Sequence, residues 1–385
     1  MKPISIILKG KYRTAISSRN RQLILLFFLS AFYFFALIGC DINRLISKPS
    51  PSDPQVDFLL FLLAGREDSN YDLFYYEPNP TPDVDDLRSD VLKFRFPQTI
   101  DIEKKNVLIF IHGWNFKERN SDPPSDFGYK VSQIKDTWAQ AIKFYESSSN
   151  NWKNRTNMYF FTYRTSNRIF DNGRRLQTVI SQNFQPSDNI IIIAHSMGGL
   201  VARQAMLNEN DQTYIDGVIS LGTPYYGSPF AVPGFQSDVP ILPDVISFYT
   251  NTDGGKDLAH TNSFSGQPSI SNGNNVYLDL LSAKNSSLDT KTITYYGNLV
   301  SCQSADLVIY RSGCSLLKSK DSGFAINDGI VPVNSASLGG NGREKIEVIN
   351  TDHSMISFLT ITESIGRDFF ESVMQKAENS FFISK

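Results

Sequence analysis

The stretch IIIIAHSMGGLVAR, residues 190–203, joins a continuous apolar run to a segment with the pattern of a helix. Residues 190–194 are apolar at every position, as expected of a strand that is buried on both faces of a parallel sheet. Residues 200–207 are predicted to form the helix. Ser196 lies between the two, and a serine in this place is either a nucleophile or an ordinary turn residue.

The residues around Ser196 favour a sharp turn from strand to helix. Ala194 and Gly198 lie two positions before and after the serine, where small side chains let the backbone pass closely. The usual pattern has glycine in the first place, and alanine is small enough to replace it. Such a turn raises the hydroxyl above the sheet, beside helix N–H groups that stabilise an oxyanion. We therefore predict that Ser196 is a nucleophile and that the N–H of Met197 donates to the oxyanion.

A serine nucleophile needs a base, and the base needs an acid to orient it. The chain has four histidines, namely His112, His195, His260 and His353. The side chain of His195 is expected to point away from the neighbouring hydroxyl. In folds that carry the nucleophile on such a strand-to-helix turn, the catalytic histidine follows the acid in chain order. This order selects His353 as the base.

The acid is expected between nucleophile and base, after a late strand. Asp328 lies in the turn sequence NDGIVP, residues 327–332, and is the predicted acid. Asp306 and Asp321 remain alternatives. Asp352 is a weaker choice because it is adjacent to the predicted base.

A second oxyanion donor is expected from the loop after an early strand, residues 107–111. His112 and Gly113 end that strand, and the glycine would let the loop approach the serine closely. We therefore predict that the N–H of Trp114 is the second donor.

Short apolar strands alternate with helical patterns along the chain, which predicts a mostly parallel sheet with helices on both faces. Helices are expected at residues 131–145, 200–207 and 354–374. Strands are expected at residues 56–63, 71–76, 107–111, 158–163, 190–194, 218–221, 292–296 and 346–349. Residues 228–275, rich in Gly, Pro, Ser and Asn, interrupt this alternation and are either a lid or cap over the site or a mobile surface insertion.

The N-terminus has the order of an export signal: basic residues, then an apolar run, then small residues before a cysteine. The sequence LIGC, residues 37–40, resembles the lipobox of bacterial lipoproteins, which implies a signal peptide at 1–39 and a lipid on Cys40. Residues 40–56 are then a tether. The alternative is an uncleaved membrane anchor. Either arrangement places the protein in the bacterial cell envelope, on an inner or outer membrane that the sequence does not distinguish.

The remaining cysteines and the charge narrow the class of protein. In an oxidising compartment Cys302 and Cys314 are expected to form a disulfide, with two buried free thiols as the alternative. Neither cysteine has the spacing of a metal site, so no metal or cofactor is predicted. The net charge of −2, without a basic cluster beyond the N-terminal region, gives no reason to expect a nucleic acid partner.

Several motifs together resemble the α/β-hydrolases of the lipase and esterase group. They are FIHGWN (110–115), AHSMGGLVAR (194–203), SLGTPYYGSP (220–229), NDGIVPVNSA (327–336) and DHSMI (352–356). The resemblance spans roughly residues 105–385. The α/β-hydrolase domain is expected at residues 57–385, with a lid or cap insertion at about 228–275. The second and third motifs are similar to those of triacylglycerol lipases and of lipase-like deacylases that act on membrane-bound lipids.

The resemblance implies a serine carboxylester hydrolase that cleaves acyl esters of lipids. It carries over Ser196, Asp328 and His353 as the catalytic triad, and the N–H groups of Trp114 and Met197 as the oxyanion hole. A short-chain esterase, a thioesterase and an acyltransferase of the same fold remain alternatives, as does a surface-binding lipoprotein without activity. The expected partners are an acyl ester or lipid substrate and a membrane surface reached through the lipid anchor.

Overall fold

The computed structural model describes residues 71–78, 91–93, 106–115, 118, 127–209, 213–235, 252–283, 286–360 and 362–382. All of them belong to one unit, Asp68–Lys385. The predicted signal peptide at 1–39, the tether at 40–56 with Cys40, and the predicted strand at 56–63 lie outside the described residues.

Eight strands of the described residues form a single sheet in the order β2-β1-β4-β3-β5-β6-β7-β8. The strands are β1 Tyr71–Tyr76, β2 Val91–Lys93, β3 Asn106–Ile111, β4 Thr156–Tyr163, β5 Asn189–His195, β6 Ile215–Leu221, β7 Thr292–Asn298 and β8 Glu344–Ile349. Strands β3 to β8 run parallel, and β1 is antiparallel to both of its neighbours. The predicted mostly parallel sheet is confirmed, and the short β2 is added to it.

The apolar run in β5 is explained by burial on both faces of the sheet. Ile190 and Ile192 pack into one hydrophobic core. Ile191 and Ile193 pack into a second core on the other face. Because successive side chains of a strand point in opposite directions, a central strand between two helical layers has no polar face.

Helices cover both faces of this sheet. The α-helices are α1 Phe127–Ser147, α2 Trp152–Arg155, α3 Ile169–Asn183, α4 Met197–Asn208, α5 Asp253–Asp257, α6 Val276–Ala283, α7 Ser286–Asp289, α8 Val308–Lys320, α9 Val333–Ala336 and α10 Glu363–Phe381. Helices α3 and α4 supply apolar side chains to one core. Helices α1 and α10 supply them to the other.

The predicted last helix, residues 354–374, is wrong at its start. A 3-10 turn at Met355–Ser357 ends at Phe358, whose φ of 73° is left-handed, and α10 begins only at Glu363. The Asp352 carboxylate accepts the backbone N–H groups of Ser354 and Met355, which favours a tight local turn over a continuing helix.

An insertion between β7 and the turn of Asp328 was missed by the apolar pattern. It contains α8 and two 3-10 turns, Cys302–Ser304 and Ser322–Phe324. A disulfide joins Cys302 to Cys314, with 5.5 Å between their Cα atoms. The bond ties the middle of α8 to the first of these turns, and Cys314 is fully buried.

Replacing both cysteines by alanine should lower the free energy of unfolding by about 2–4 kcal/mol, because the open chain gains conformational freedom in the unfolded state. The measurement is urea unfolding of both proteins, with and without reductant. Reductant should destabilise only the wild type. Equal stability of the oxidised wild type and the double variant would contradict a stabilising role for this bond.

Candidate active site

Ser196 sits on a strained turn between β5 and α4. Its backbone has φ 52° and ψ −126°, a conformation that residues other than glycine rarely adopt. The Ser196 N–H donates to the carbonyl of Leu221 at 2.9 Å, and its carbonyl accepts from Gly199 at 3.0 Å. The end of the neighbouring strand β6 and the first turn of α4 therefore hold the residue in a conformation that it would not favour alone.

The two glycines after the serine are required by close packing. A Cβ on Gly198 would lie 2.7 Å from the carbonyl oxygens of both Ile111 and His112. A Cβ on Gly199 would lie 2.0 Å from Thr223 Oγ1. The start of helix α4 can pack against the end of β3 and against Thr223, which follows β6, only because these side chains are absent.

Three predicted residues meet in one line of hydrogen bonds. Ser196 Oγ lies 2.9 Å from His353 Nε2, and His353 Nδ1 lies 2.7 Å from Asp328 Oδ2. An ionised carboxylate only accepts, so Nδ1 carries the shared proton and Nε2 is left to accept from the hydroxyl. Asp328 is fully buried, whereas Ser196 and His353 each keep 7% of their surface exposed. The arrangement can move a proton from the serine to the imidazole.

The second oxygen of Asp328 is occupied by its own turn. Oδ1 accepts the N–H groups of Ile330 at 3.0 Å and Val331 at 2.7 Å. The carbonyl of Asp328 also accepts the N–H of His353 at 2.9 Å. Asp328 thus orients the histidine through its side chain and its main chain together.

Asp352 and Asp321, two of the alternative acids, use their carboxylates away from His353. Asp352 uses its carboxylate for the turn that follows and for the N–H of Asp306, at 2.8 Å. Asp321 accepts the N–H of Gly323 at 2.7 Å. Their hydrogen bonds stabilise loops around the site and do not reach the imidazole of His353.

The loop after β3 passes directly beside Ser196, as predicted. A Cβ on Gly113 would lie 2.9 Å from Ser196 Cβ, so a side chain there would push the loop away. Trp114 follows and lines the same cavity as the serine. Met197 is the first residue of α4, and an N–H in the first turn has no acceptor within its own helix. The loop after β3 and the start of α4 therefore both lie beside the serine.

A buried carboxylate that the motifs did not indicate fixes this loop. Glu118 accepts from the N–H and the hydroxyl of Thr165, each at 2.9 Å, and from the hydroxyl of Ser166 at 3.1 Å. It also pairs with Arg164, Nε to Oε1 at 3.2 Å. The hydroxyl of Thr165 accepts the N–H of Asn115 at 3.1 Å, which connects this network to the loop of Trp114.

The rings of the other three histidines hydrogen-bond to backbone groups. Burial lowers the pKa of His112 to about 4, and its ring stacks on Tyr163 with 4.5 Å between centroids. Burial, and then the proximity of His353, lower the pKa of His195 to about 3. Burial also lowers the pKa of His260, whose Nε2 bonds to a backbone carbonyl at 3.1 Å. These three rings are therefore neutral at physiological pH.

An apolar cavity of about 140 Å³ opens beside Ser196 and His353. Part of its wall comes from the interrupting region 228–275, through Ser228, Phe230, Ala231 and Leu258. Another part comes from α8, through Ile309, Tyr310 and Gly313. The disulfide-tied insertion is thus a wall of the cavity that contains the serine.

The described part of the chain contains no cluster of three or more His, Cys, Asp or Glu side chains that could hold a metal ion. Within the same residues, no helix is both long and apolar enough to span a membrane.

Sequence comparison connects this geometry to known proteins. Residues 106–240 match the family model described as the PGAP1-like alpha/beta domain. The GPI inositol-deacylase of Candida albicans is 41% identical over 68 residues, which are 18% of this chain and 17% of that protein. The chain thus matches about a sixth of this curated relative's length.

Solved structures with a similar fold include a mature lipase from Bacillus licheniformis, at 20% identity over 77% of this chain and 97% of the lipase, with a TM-score of 0.48. A metagenomic carboxyl esterase is 14% identical over 74% of this chain and 79% of its own, with a TM-score of 0.44. At such distances neither structure identifies a substrate. Residues 106–240 thus resemble the PGAP1-like alpha/beta domain, and the mostly parallel sheet with a strained serine turn between β5 and α4 has the architecture of an α/β-hydrolase.

Proposed function

We propose that this protein is a serine carboxylester hydrolase that removes acyl groups from lipids. The observation that carries the proposal is the line of contacts from Ser196 Oγ through the imidazole of His353 to the buried Asp328, at 2.9 and 2.7 Å. A hydroxyl, an imidazole and a buried carboxylate in this order are the parts of an activated nucleophile.

The first half of the reaction forms an acyl-enzyme. His353 Nε2 takes the hydroxyl proton as Ser196 Oγ bonds to the ester carbonyl carbon, and the N–H groups of Trp114 and Met197 hold the oxyanion. The carbon–oxygen bond to the alcohol then breaks, and the alcohol leaves with the proton from Nε2. Asp328 stabilises the imidazolium while it carries that proton.

The second half repeats the attack with water. His353 takes a proton from the water as its oxygen bonds to the acyl carbon. The bond from that carbon to Ser196 Oγ then breaks, and the proton returns from the imidazole to the serine. The fatty acid is released and the enzyme is restored.

Three observations support an acyl lipid as the substrate. The cavity beside Ser196 is walled mainly by apolar side chains, which suit a hydrocarbon chain. The matched relative is named as a deacylase, and removal of an acyl group is the same reaction class. The LIGC sequence at Cys40, if lipidated, would hold the enzyme beside a membrane.

The disulfide between Cys302 and Cys314 supports a separate part of the proposal, export of the protein to an oxidising compartment.

The full chain should hydrolyse p-nitrophenyl esters, and Ser196→Ala should abolish the reaction because the nucleophile is lost. Asp328→Asn should lower kcat by about 10⁴-fold, because the imidazole loses the partner that sets its tautomer. Asp306→Asn is the matched control and should keep wild-type kcat. The measurement is steady-state hydrolysis of esters from acetyl to palmitoyl, together with fluorophosphonate labelling.

The outcome of that experiment separates the alternatives. Activity on long chains supports the lipase reaction, and activity only on short chains points to an esterase. A folded protein with no hydrolysis and no label on Ser196 would overturn the proposal in favour of a binding lipoprotein.

Gly113→Ala should reduce kcat by about 10²-fold with little change in KM. The new Cβ, 2.8 Å from His195 Nδ1 and 2.9 Å from Ser196 Cβ, displaces the loop that carries the Trp114 N–H. Loss of one oxyanion donor costs about 10²–10³ in kcat. Inhibition by an alkyl boronic acid, which forms a tetrahedral adduct, should weaken in parallel. An unchanged affinity of Gly113→Ala for the boronate would contradict the assignment of the Trp114 N–H as an oxyanion donor.

Cys40→Ala should abolish incorporation of radiolabelled palmitate in a bacterial host, because the acylated side chain is removed. Intact-mass analysis of the wild type should show loss of residues 1–39 and addition of lipid. A wild-type protein that keeps residues 1–39 and carries no lipid would instead indicate an N-terminal anchor.

A further inference from the structure

We propose that His195 is a positioning residue that holds the catalytic histidine in place through the main-chain carbonyl of His353. The inference rests on the proposed function of Ser196, and it assigns a role to the histidine of the AHSMGG motif, whose side chain takes no part in the proposed bond-making steps. The residue acts through His353 and has no direct contact with the hydroxyl that reacts.

The contact defines the tautomer of His195. Its Nε2 lies 2.7 Å from the carbonyl oxygen of His353, and the pair is buried. A carbonyl only accepts, so Nε2 carries the proton and Nδ1 carries the lone pair. Nδ1 is buried against the loop after β3, where a Cβ on Gly113 would come within 2.8 Å of it. The ring is thus wedged between that loop and the loop of His353.

The contact completes the restraint on the backbone of residue 353. The His353 N–H is held by the carbonyl of Asp328 at 2.9 Å, and its carbonyl is held by His195. The residue before it, Asp352, caps the following turn with its carboxylate. With both main-chain groups fixed, the imidazole can stay 2.9 Å from Ser196 Oγ through the reaction. A displacement of about 1 Å in such a site can cost about 10²-fold in rate.

A histidine suits this position because it donates a hydrogen bond without carrying charge. The rings of His195 and His353 are 4.9 Å apart between centroids. A second cation at that distance would oppose the imidazolium that His353 must become during acyl transfer. Burial keeps the pKa of His195 at about 3, and the neighbouring His112 is neutral as well, with a pKa of about 4.

Three substitutions in the full chain test the role. In His195→Gln, the amide nitrogen stands near the former Nε2 and can still donate to the His353 carbonyl. In His195→Asn, the same amide is one methylene shorter and reaches only the former Nδ1 position. His195→Leu removes the donor altogether. The Gln and Asn variants form a matched pair, so the comparison holds even if the Leu variant does not fold.

The His195→Asn and His195→Leu variants should lower kcat by about 10- to 100-fold at nearly constant KM. The carbonyl of His353 loses its hydrogen-bond donor in both, so the His353 imidazole is held less closely to Ser196 Oγ. Gln should keep most of the wild-type kcat. Rates are to be divided by the fraction of sites that a fluorophosphonate titrates, which removes the effect of misfolded protein. Equal kcat in the Gln and Asn variants would overturn the proposal.

A second readout is independent of turnover. The proton shared by His353 Nδ1 and Asp328 should give a downfield proton NMR signal in the wild type and in His195→Gln. The signal should broaden or shift in His195→Asn. If the wild type hydrolysed no ester but this pattern held, the proposed function would fail and the positioning role would stand. Ester hydrolysis by the wild type with identical spectra in all variants would support the hydrolase and contradict the positioning role.

Discussion

The strained backbone of Ser196 is the constraint on which the rest of the site depends. A positive φ at a residue with a side chain costs about 1–3 kcal/mol, and it persists only when its surroundings hold it. Here the surroundings are a strand buried on both faces, a helix that starts one residue later, and two glycines packed against neighbouring backbone and side-chain atoms. Part of the stability that the two cores supply thus offsets the backbone strain that places the Ser196 hydroxyl above the edge of the sheet.

The parallel sheet explains why distant parts of the chain meet at that hydroxyl. The loops that carry Gly113, Ser196 and His353 leave the carboxyl ends of β3, β5 and β8, and these ends lie along one edge. Asp328 follows the β7 insertion and returns to the same edge. The insertion therefore does two things: its disulfide fixes α8 as a wall of the cavity, and its end delivers the carboxylate to the imidazole.

The predictable parts of the molecule are those with local signals. Apolar runs such as β5 indicate burial on both faces, and small residues around Ser196 indicate a sharp turn, so both could be predicted from neighbouring residues alone. Chain order then pointed to Asp328 and His353. The early start predicted for the last helix failed because the apolar spacing continues through Phe358, whose left-handed backbone has no signal in its residue type.

Contacts between distant residues could not be predicted in this way. Glu118 meets its partners 47 and 48 positions later in the chain, and no motif contains both sides of that network. The hydrogen bond of His195 to His353 crosses 158 positions. The sequence indicated only that the His195 ring should turn away from the hydroxyl. The acceptor that the His195 ring reaches depends on the path of the loop after β8, and that path depends on the whole sheet.

His112, His195 and His353 lie near Ser196, and their different surroundings give the same type of side chain different roles. His353 is paired with a buried carboxylate, so its ring can accept a proton and become charged. His112 and His195 are buried without such a partner, and the desolvation that lowers their pKa keeps them neutral. A neutral ring serves as a rigid donor or stacking surface and leaves the field around the base undisturbed. The Asp328 carboxylate contacts the ring of His353, and this contact sets the base apart from the two neutral rings.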